Sequence, residues 1–463
     1  MSEIPSSEVR TPAGEVYRAF WRWHFYAGLL VLPILMLMAL TGGVYLFKTE
    51  LTAIIHRPLV VVADRPARAP PSAWIASAET GAGAKATQLI IPSRGDRSVQ
   101  VMVGDKAHQR TAYVDPHDGG YLGVTTPGGV MGVIKRVHSL DIAGPVMNGL
   151  VEVVAGWAIV LVATGVFLWW PRGQNGGVVT VRGGPARRLF WRDLHAVTGA
   201  FAGIVIVFLA ATGMPWSIFW GKEVRQLTTE AGWGRPKPPI AERHHPVKSV
   251  ERDGVPWALG AHAPPNTPNP SPMLGMSANE HARMMQAKVL GVDDIVAKAR
   301  ADGLTDGFTL TLPQAPGGTW TASYMPDHVE RTRTLYLDGR DGHVLDDIGY
   351  RRFGPAAKAI EWSISVHQGQ EFGLVNKLVM LAGCVAIWLL GGSALVMWWK
   401  RRPKGRLAAP PRPTRPGAYA GLLAIVLPLA VLYPLVGASL ITVLLLDLIY
   451  RRLTSSPLFK TGA

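Results

Sequence analysis

Five stretches of this chain run far enough to cross a membrane without one charged side chain: Phe25 to Phe47, Val153 to Trp170, Ala196 to Trp220, Leu378 to Trp399 and Gly417 to Leu446. A helical crossing needs about 20 predominantly apolar residues. The chain is therefore expected to be a multi-pass α-helical membrane protein. The first run has no small-residue cleavage site and recurs in kind later, so it reads as a retained span rather than a signal peptide.

A single cysteine, Cys384, lies inside the fourth run. Disulfide frameworks, thiolate zinc sites and cysteine-held iron–sulfur clusters are excluded, and any metal or redox centre must use other ligands.

The net charge of +15 sits unevenly along the chain. Pro171 to Arg192 holds five Arg and no acid, and Lys400 to Pro416 holds seven Lys or Arg and no acid. By the positive-inside rule both short loops are cytoplasmic. The longer intervals, Lys48 to Arg136 with 11 basic and 7 acidic residues and Gly221 to Glu361 with 17 of each, form two nearly balanced domains outside. The surplus charge then reads as a signal toward an anionic membrane surface, and a nucleic-acid partner loses its support. Trp21, Trp23, Trp169, Trp170, Trp191, Trp398 and Trp399 fall at the inner ends of the spans, where indoles anchor at headgroup level. The C-terminal run reads as one crossing or, preferably, as two short crossings broken near Pro434, which return Arg451 and Arg452 to the inner side.

The chain also resembles itself. Phe20-Trp21-Arg22-Trp23-His24 opens the first span and Phe190-Trp191-Arg192-Asp193-Leu194-His195 opens the third. Each histidine is followed by a glycine four residues on, Gly28 and Gly199, and by a Thr-Gly pair seventeen on, Thr41-Gly42 and Thr212-Gly213. His138 and His367 precede the second and fourth spans, each with a glycine six residues on, Gly144 and Gly373, then Asn148 and Asn376. Both of those spans end in Trp-Trp 31 and 32 positions after the histidine. The pattern is two copies of span, outer domain and span, related by an axis along the membrane normal. Such an axis brings His24 to His195 near one face and His138 to His367 near the other.

The outer domains echo each other as well. Tyr113-Val114-Asp115-Pro116-His117-Asp118-Gly119-Gly120-Tyr121-Leu122 matches Tyr336-Leu337-Asp338-Gly339-Arg340-Asp341-Gly342-His343-Val344-Leu345, a strand, a tight turn and a strand. A helical stretch at Val292 to Ala301 and alternating strands at Phe308 to Leu312 and Thr319 to Tyr324 complete a small α+β domain, expected twice. The Pro-rich stretch from Gly234 to Pro272 reads as an extended linker.

Ionisable side chains at membrane depth are costly, which makes the four histidines candidate functional residues. Imidazole is a haem ligand, and two from facing helices complete six-coordination. A glycine one turn after His24 and His195 leaves room for a flat ligand, since positions i and i+4 share a face. Arg22 and Arg192 are placed to pair with propionates. A lone histidine at a span boundary is more often an interfacial residue; two matched pairs favour ligation. His138 falls before a Gly144-Pro145 break and is expected on a separate interfacial helix. His244-His245 with Met273, Met276, His281, Met284 and Met285 is a weaker candidate for a soft metal such as copper. Glu152, early in the second span, reads as an interfacial acid, with a proton or metal path as the alternative. No phosphate loop, dinucleotide fingerprint or nucleophile elbow is present, so the chain offers no flavin or nicotinamide site.

The span-start histidines, the outer Tyr-x-Asp turn segments and the Gly165-x-x-x-Trp169-Trp170 span end resemble the PepSY-associated transmembrane family over about residues 15–403. The resemblance implies PepSY-like domains outside a bacterial inner (cytoplasmic) membrane, and some members resemble ferric-siderophore reductases carrying two haems. On that reading the chain comprises a cytoplasmic N-terminus (1–20), a first span (21–47), a periplasmic PepSY-like domain (48–136) and an interfacial helix with the second span (137–170). A cytoplasmic loop (171–192), a third span (193–220), a second periplasmic PepSY-like domain (221–361), and an interfacial helix with the fourth span (362–399) follow. A second loop (400–416), a C-terminal span or hairpin (417–450) and a tail (451–463) complete it.

The implied activity is electron transfer through two b-type haems held by His24 with His195 and His138 with His367. The donor would be a cytoplasmic reductant or a membrane quinol, and the acceptor ferric iron or a ferric siderophore outside. The alternative is a non-redox PepSY protein that regulates or scaffolds an envelope protease or another partner.

Overall fold

The computed structural model describes residues 12–105, 107–173, 176–234, 236, 255–256, 259, 289–403 and 410–455. Its helices in chain order are α1 (Pro12–Tyr45), α2 (Lys48–Ile55), α3 (Arg57–Val60), α4 (Pro71–Ala82), α5 (Gly129–His138), α6 (Pro145–Trp169) and α7 (Arg188–Gly213). The series continues with α8 (Trp220–Glu230), α9 (Val292–Ala301), α10 (Pro355–His367), α11 (Gly373–Arg401), α12 (Ala420–Leu432) and α13 (Pro434–Ser455). The strands are β1 (Ala86–Ile90), β2 (Val99–Val103), β3 (Arg110–Val114), β4 (Tyr121–Thr125), β5 (Phe308–Thr311), β6 (Trp320–Tyr324), β7 (Arg333–Leu337) and β8 (Val344–Gly349). Two compact units result: a membrane unit of Met1–Leu46, Arg136–Glu223 and Leu378–Ala463, and a sheet unit of Phe47–Lys135 and Val224–Lys377.

In the membrane unit α1, α6, α7 and α11 are long and apolar enough to cross a bilayer. Helix α1 begins well before the first apolar run because Pro12 suits a first helical turn and Glu15 holds that turn in place. Glu15 is buried, bonds Arg18 and accepts the Thr414 N–H at 2.6 Å. Helix α6 starts afresh at Pro145 after a break in which Leu140 and Gly144 take positive φ. Asn148 spans that break, its side-chain amide donating to the Ser139 carbonyl at 2.7 Å. In the sheet unit, the matched Asn376 donates likewise to Val366 at 2.9 Å across the break between α10 and α11.

The C-terminal apolar run is interrupted at Tyr433 and Pro434, where α12 gives way to α13. Helix α12 has 13 residues, about 20 Å of rise, less than the roughly 30 Å of a hydrocarbon core. Gly437 lies against Ala430, so α13 folds back along α12, and Trp157 on α6 donates to Ser439 at 3.0 Å.

The sheet unit departs from the expectation of two separate small domains. Its strands form one antiparallel sheet in the order β4-β3-β2-β1-β5-β6-β7-β8. Helices α4 and α9 supply Trp74, Ala78, Ile295, Val296 and Ala299 to one shared core with Val101, Phe308 and Leu335. Had the two sets of strands stood apart, β1 and β5 would each present an edge of unpaired N–H and C=O groups; pairing removes both edges.

The matched turn segments fold alike. Asp115 accepts the His117 N–H and Asp338 the Arg340 N–H, both at 2.8 Å. Each turn then closes with a positive-φ glycine, Gly119 or Gly342. A register shift follows Tyr113 in β3 and Tyr336 in β7. The stretch carrying His244-His245, Met273, Met276, His281, Met284 and Met285 lies outside the described residues.

Candidate functional site

Helix α1 carries His24 and α7 carries His195, and the membrane unit brings the two imidazoles together. Their ring centres are 6.2 Å apart and their planes are nearly perpendicular. In each ring Nδ1 is occupied by a neighbouring helix. His195 Nδ1 lies 3.0 Å from the Leu390 carbonyl and 3.2 Å from Ser393 Oγ on α11. His24 Nδ1 lies 2.9 Å from Thr164 Oγ1 on α6, whose own hydroxyl proton goes to the Val160 carbonyl. A carbonyl only accepts, and a hydroxyl whose proton is spent on its own helix does the same, so these partners favour the proton on Nδ1 and leave the Nε2 lone pair for another use.

The spacing of the ring centres equals that of two imidazoles bound to one metal atom. Metal–nitrogen bonds of about 2 Å on each side, with each ring centre about 1 Å beyond its nitrogen, separate the centres by roughly 6 Å. Crossed ring planes are no obstacle, because each ring can turn about its own metal–nitrogen axis.

Gly28 and Gly199 lie one turn farther along their helices. A methyl group at Gly28 would meet Leu161 at 3.9 Å and one at Gly199 would meet Leu390 at 3.5 Å, both ordinary contacts. Helix packing therefore does not require glycine at either position. Gly165 differs: a methyl there would sit 3.3 Å from His24 Cε1.

Arg22 donates to the Pro410 carbonyl and to Tyr26 Oη. Arg192 donates to the carboxylate of its neighbour in sequence. It joins Arg182 in clamping Asp193, whose carboxylate is completely buried, with guanidinium contacts of 2.7 Å from each. A buried carboxylate left without such partners is strongly destabilising, so Asp193 claims the arginine.

His138 and His367 close α5 and α10, in the membrane unit and the sheet unit respectively. His138 Nδ1 lies 3.0 Å from the Met38 carbonyl and 3.1 Å from Thr41 Oγ1. Glu152 lies early in α6. It is completely buried, with Oε2 accepting the Trp220 N–H at 3.0 Å and Oε1 unpartnered among the described residues.

Thr164, Ser393 and Arg182 are not singled out by the sequence, and Gly165 enters there only as part of a span-end motif. A signal was present for two of them, since Thr164-Gly165 repeats the Thr-Gly pair seen at Thr41-Gly42 and Thr212-Gly213. No curated protein matches this chain. The model of a family described as the PepSY-associated TM region matches residues 21–401. That span takes in most of α1, the whole of α6, α7 and α11, and every strand of the sheet, and the chain belongs to the PepSY-associated transmembrane family.

Proposed function

We propose that this protein is a membrane electron-transfer protein that holds haem between His24 and His195 and delivers electrons to ferric iron or a ferric siderophore. The observation that carries this reading is the 6.2 Å between two imidazoles whose Nδ1 protons are already engaged, so that both Nε2 atoms are lone-pair donors. Haem bound there would supply one-electron chemistry. The chain's own part is to keep the donor nitrogens preorganised at membrane depth, where water offers them no competing partner.

His138, held by its Nδ1 in the same manner, is assigned to a second haem, and His367 keeps the ligand role drawn from the sequence repeat. The paired sequence motifs support a duplicated span–domain–span plan. The arginine-rich loops support a cytoplasmic side for residues 171–192 and 400–416, a periplasmic sheet unit, and residence in a bacterial inner membrane. Ferric complexes release iron on reduction because hard oxygen ligands hold Fe(III) better than the softer Fe(II).

Absorption spectroscopy of the purified protein tests the reading. A Soret band, with sharp α and β bands on reduction, is expected. His24→Ala and His195→Ala should each abolish the same haem. Colourless protein from haem-replete cells would overturn it, as would His24→Ala and His195→Ala removing different centres.

A further inference from the structure

The Thr-Gly pairs stand out in the sequence only as markers of repetition, and the fold gives them work. Thr164 donates its hydroxyl proton to the Val160 carbonyl at 2.8 Å, Ser393 to Leu389 at 2.6 Å, and Thr41 to Leu37 at 2.8 Å. A hydroxyl has one proton, and once it is spent on the helix's own backbone the oxygen is left as an acceptor. Each of these oxygens faces a histidine Nδ1: His24 at 2.9 Å, His195 at 3.2 Å and His138 at 3.1 Å. The carbonyl three residues before Ser393 and before Thr41, of Leu390 and Met38, lies 3.0 Å from the same histidine nitrogen.

Serine and threonine in apolar helices bond their own i−4 carbonyl routinely. That habit does not explain why three histidines on three different helices meet the resulting acceptor with the same ring nitrogen. Nor does it explain the residue that follows. A methyl at Gly165 would lie 3.3 Å from His24 Cε1, and one at Gly42 would lie 3.1 Å from His138 Cε1, each closer than a comfortable contact. The glycine makes room for the ring that the threonine binds; after Ser393 the chain has Ala394 instead.

We propose that Thr164, Ser393 and Thr41, with Gly165 and Gly42, are positioning residues that seat the ligand histidines, fixing their tautomer and orientation and tuning the metal they bind. The inference rests on the haem reading above. Thr164 and Ser393 are each 1% exposed, so water cannot replace a lost acceptor. An imidazole that donates from Nδ1 is a more basic ligand at Nε2 and favours the ferric state.

The test compares Thr164→Val, Thr164→Ser, Ser393→Ala and Gly165→Ala with the wild-type protein in detergent. Haem affinity, ferric low-spin electron paramagnetic resonance and the midpoint potential are measured. Thr164→Val and Ser393→Ala should weaken haem binding by about tenfold or more. They should raise the potential, by about 59 mV for each tenfold loss confined to the ferric form. Thr164→Ser should restore both values, and Gly165→Ala should change the resonance by turning the His24 ring. Ser393→Ala removes a single atom and reads the same effect should Thr164→Val fail to fold.

Haem-bound variants with wild-type potential and resonance would overturn the inference and leave the haem reading intact, as would equal effects from Thr164→Val and Thr164→Ser. A wild-type protein without haem would overturn both.

Discussion

Leu89 of β1 lies directly opposite Leu310 of β5 in the one strand pair that joins the two halves of the sheet, and both side chains are completely buried. They belong to the core shared by α4 and α9, so this contact makes the sheet unit a single cooperative body. Leu89→Ala should cost about 2–5 kcal/mol of stability. Thermal unfolding of the purified protein, followed by circular dichroism, checks it. The double variant with Leu310→Ala should lose a different amount from the sum of the two single losses, because the two sites share neighbours. Strictly additive losses would show that each leucine serves a separate core.

Arg192 and Arg182 divide the work of neutralising Asp193, which predicts a graded response. Arg192 is about half exposed and Arg182 stays in place when it is removed, so Arg192→Ala should cost no more than about 1 kcal/mol. Removing both arginines strands a buried carboxylate, at a cost of about 3–5 kcal/mol. Unfolding midpoints and haem content measured on the same samples separate the roles. Heavy loss of haem from Arg192→Ala at an unchanged midpoint would return the guanidinium to the propionate role.

What the sequence discloses here is local. The helix at Val292–Ala301 is legible because its buried residues recur at helical spacing, with acids in its first turn and bases in its last. The turns at Asp115 and Asp338 are legible because a short polar side chain and a glycine four residues later are nearly sufficient to build them. The pairing of β1 with β5 is not, since it joins Gln88 to Thr311 across a separation of 223 residues and no local pattern specifies an edge partner. The histidine seats are hidden for the same reason. Spacing reveals that His24 shares a helix face with Gly28, whereas Thr164 reaches His24 from another helix 140 residues away. The partner of Glu152 is the backbone N–H of Trp220, which no spacing along α6 reports.

Lys48 supplies a pH-dependent prediction in the sheet unit. Burial, reinforced by Lys135 and Lys377 and opposed by Asp327, holds its ammonium below the usual lysine range, while Nζ donates to Gln368 Oε1 at 3.2 Å. A base depressed in the folded state costs stability wherever it is charged in both states. That cost is relieved as pH climbs from the folded value toward the ordinary value of 10.5. Lys48→Gln should therefore raise the unfolding midpoint at pH 7, and the gain should shrink as pH approaches 10.5. A gain that persists unchanged into alkaline buffer would assign the effect to packing instead of charge.

Glu152 offers the sharpest choice between a structural and a functional carboxyl. Its Oε2 accepts the Trp220 N–H at the start of α8, where an acceptor satisfies a backbone donor left over by the helix. Its Oε1 meets no partner among the described residues. Glutamine supplies the same acceptor without the cost of an acidic group at membrane depth, so Glu152→Gln should be as stable as the wild type or more so. Glu152→Leu strands the Trp220 N–H and should lose about 1–3 kcal/mol. Unfolding midpoints of the two variants decide the matter. Were glutamine as damaging as leucine, the acidic group itself would be needed for folding. Were Glu152→Gln stable but unable to sustain electron transfer, the carboxyl would be carrying a proton.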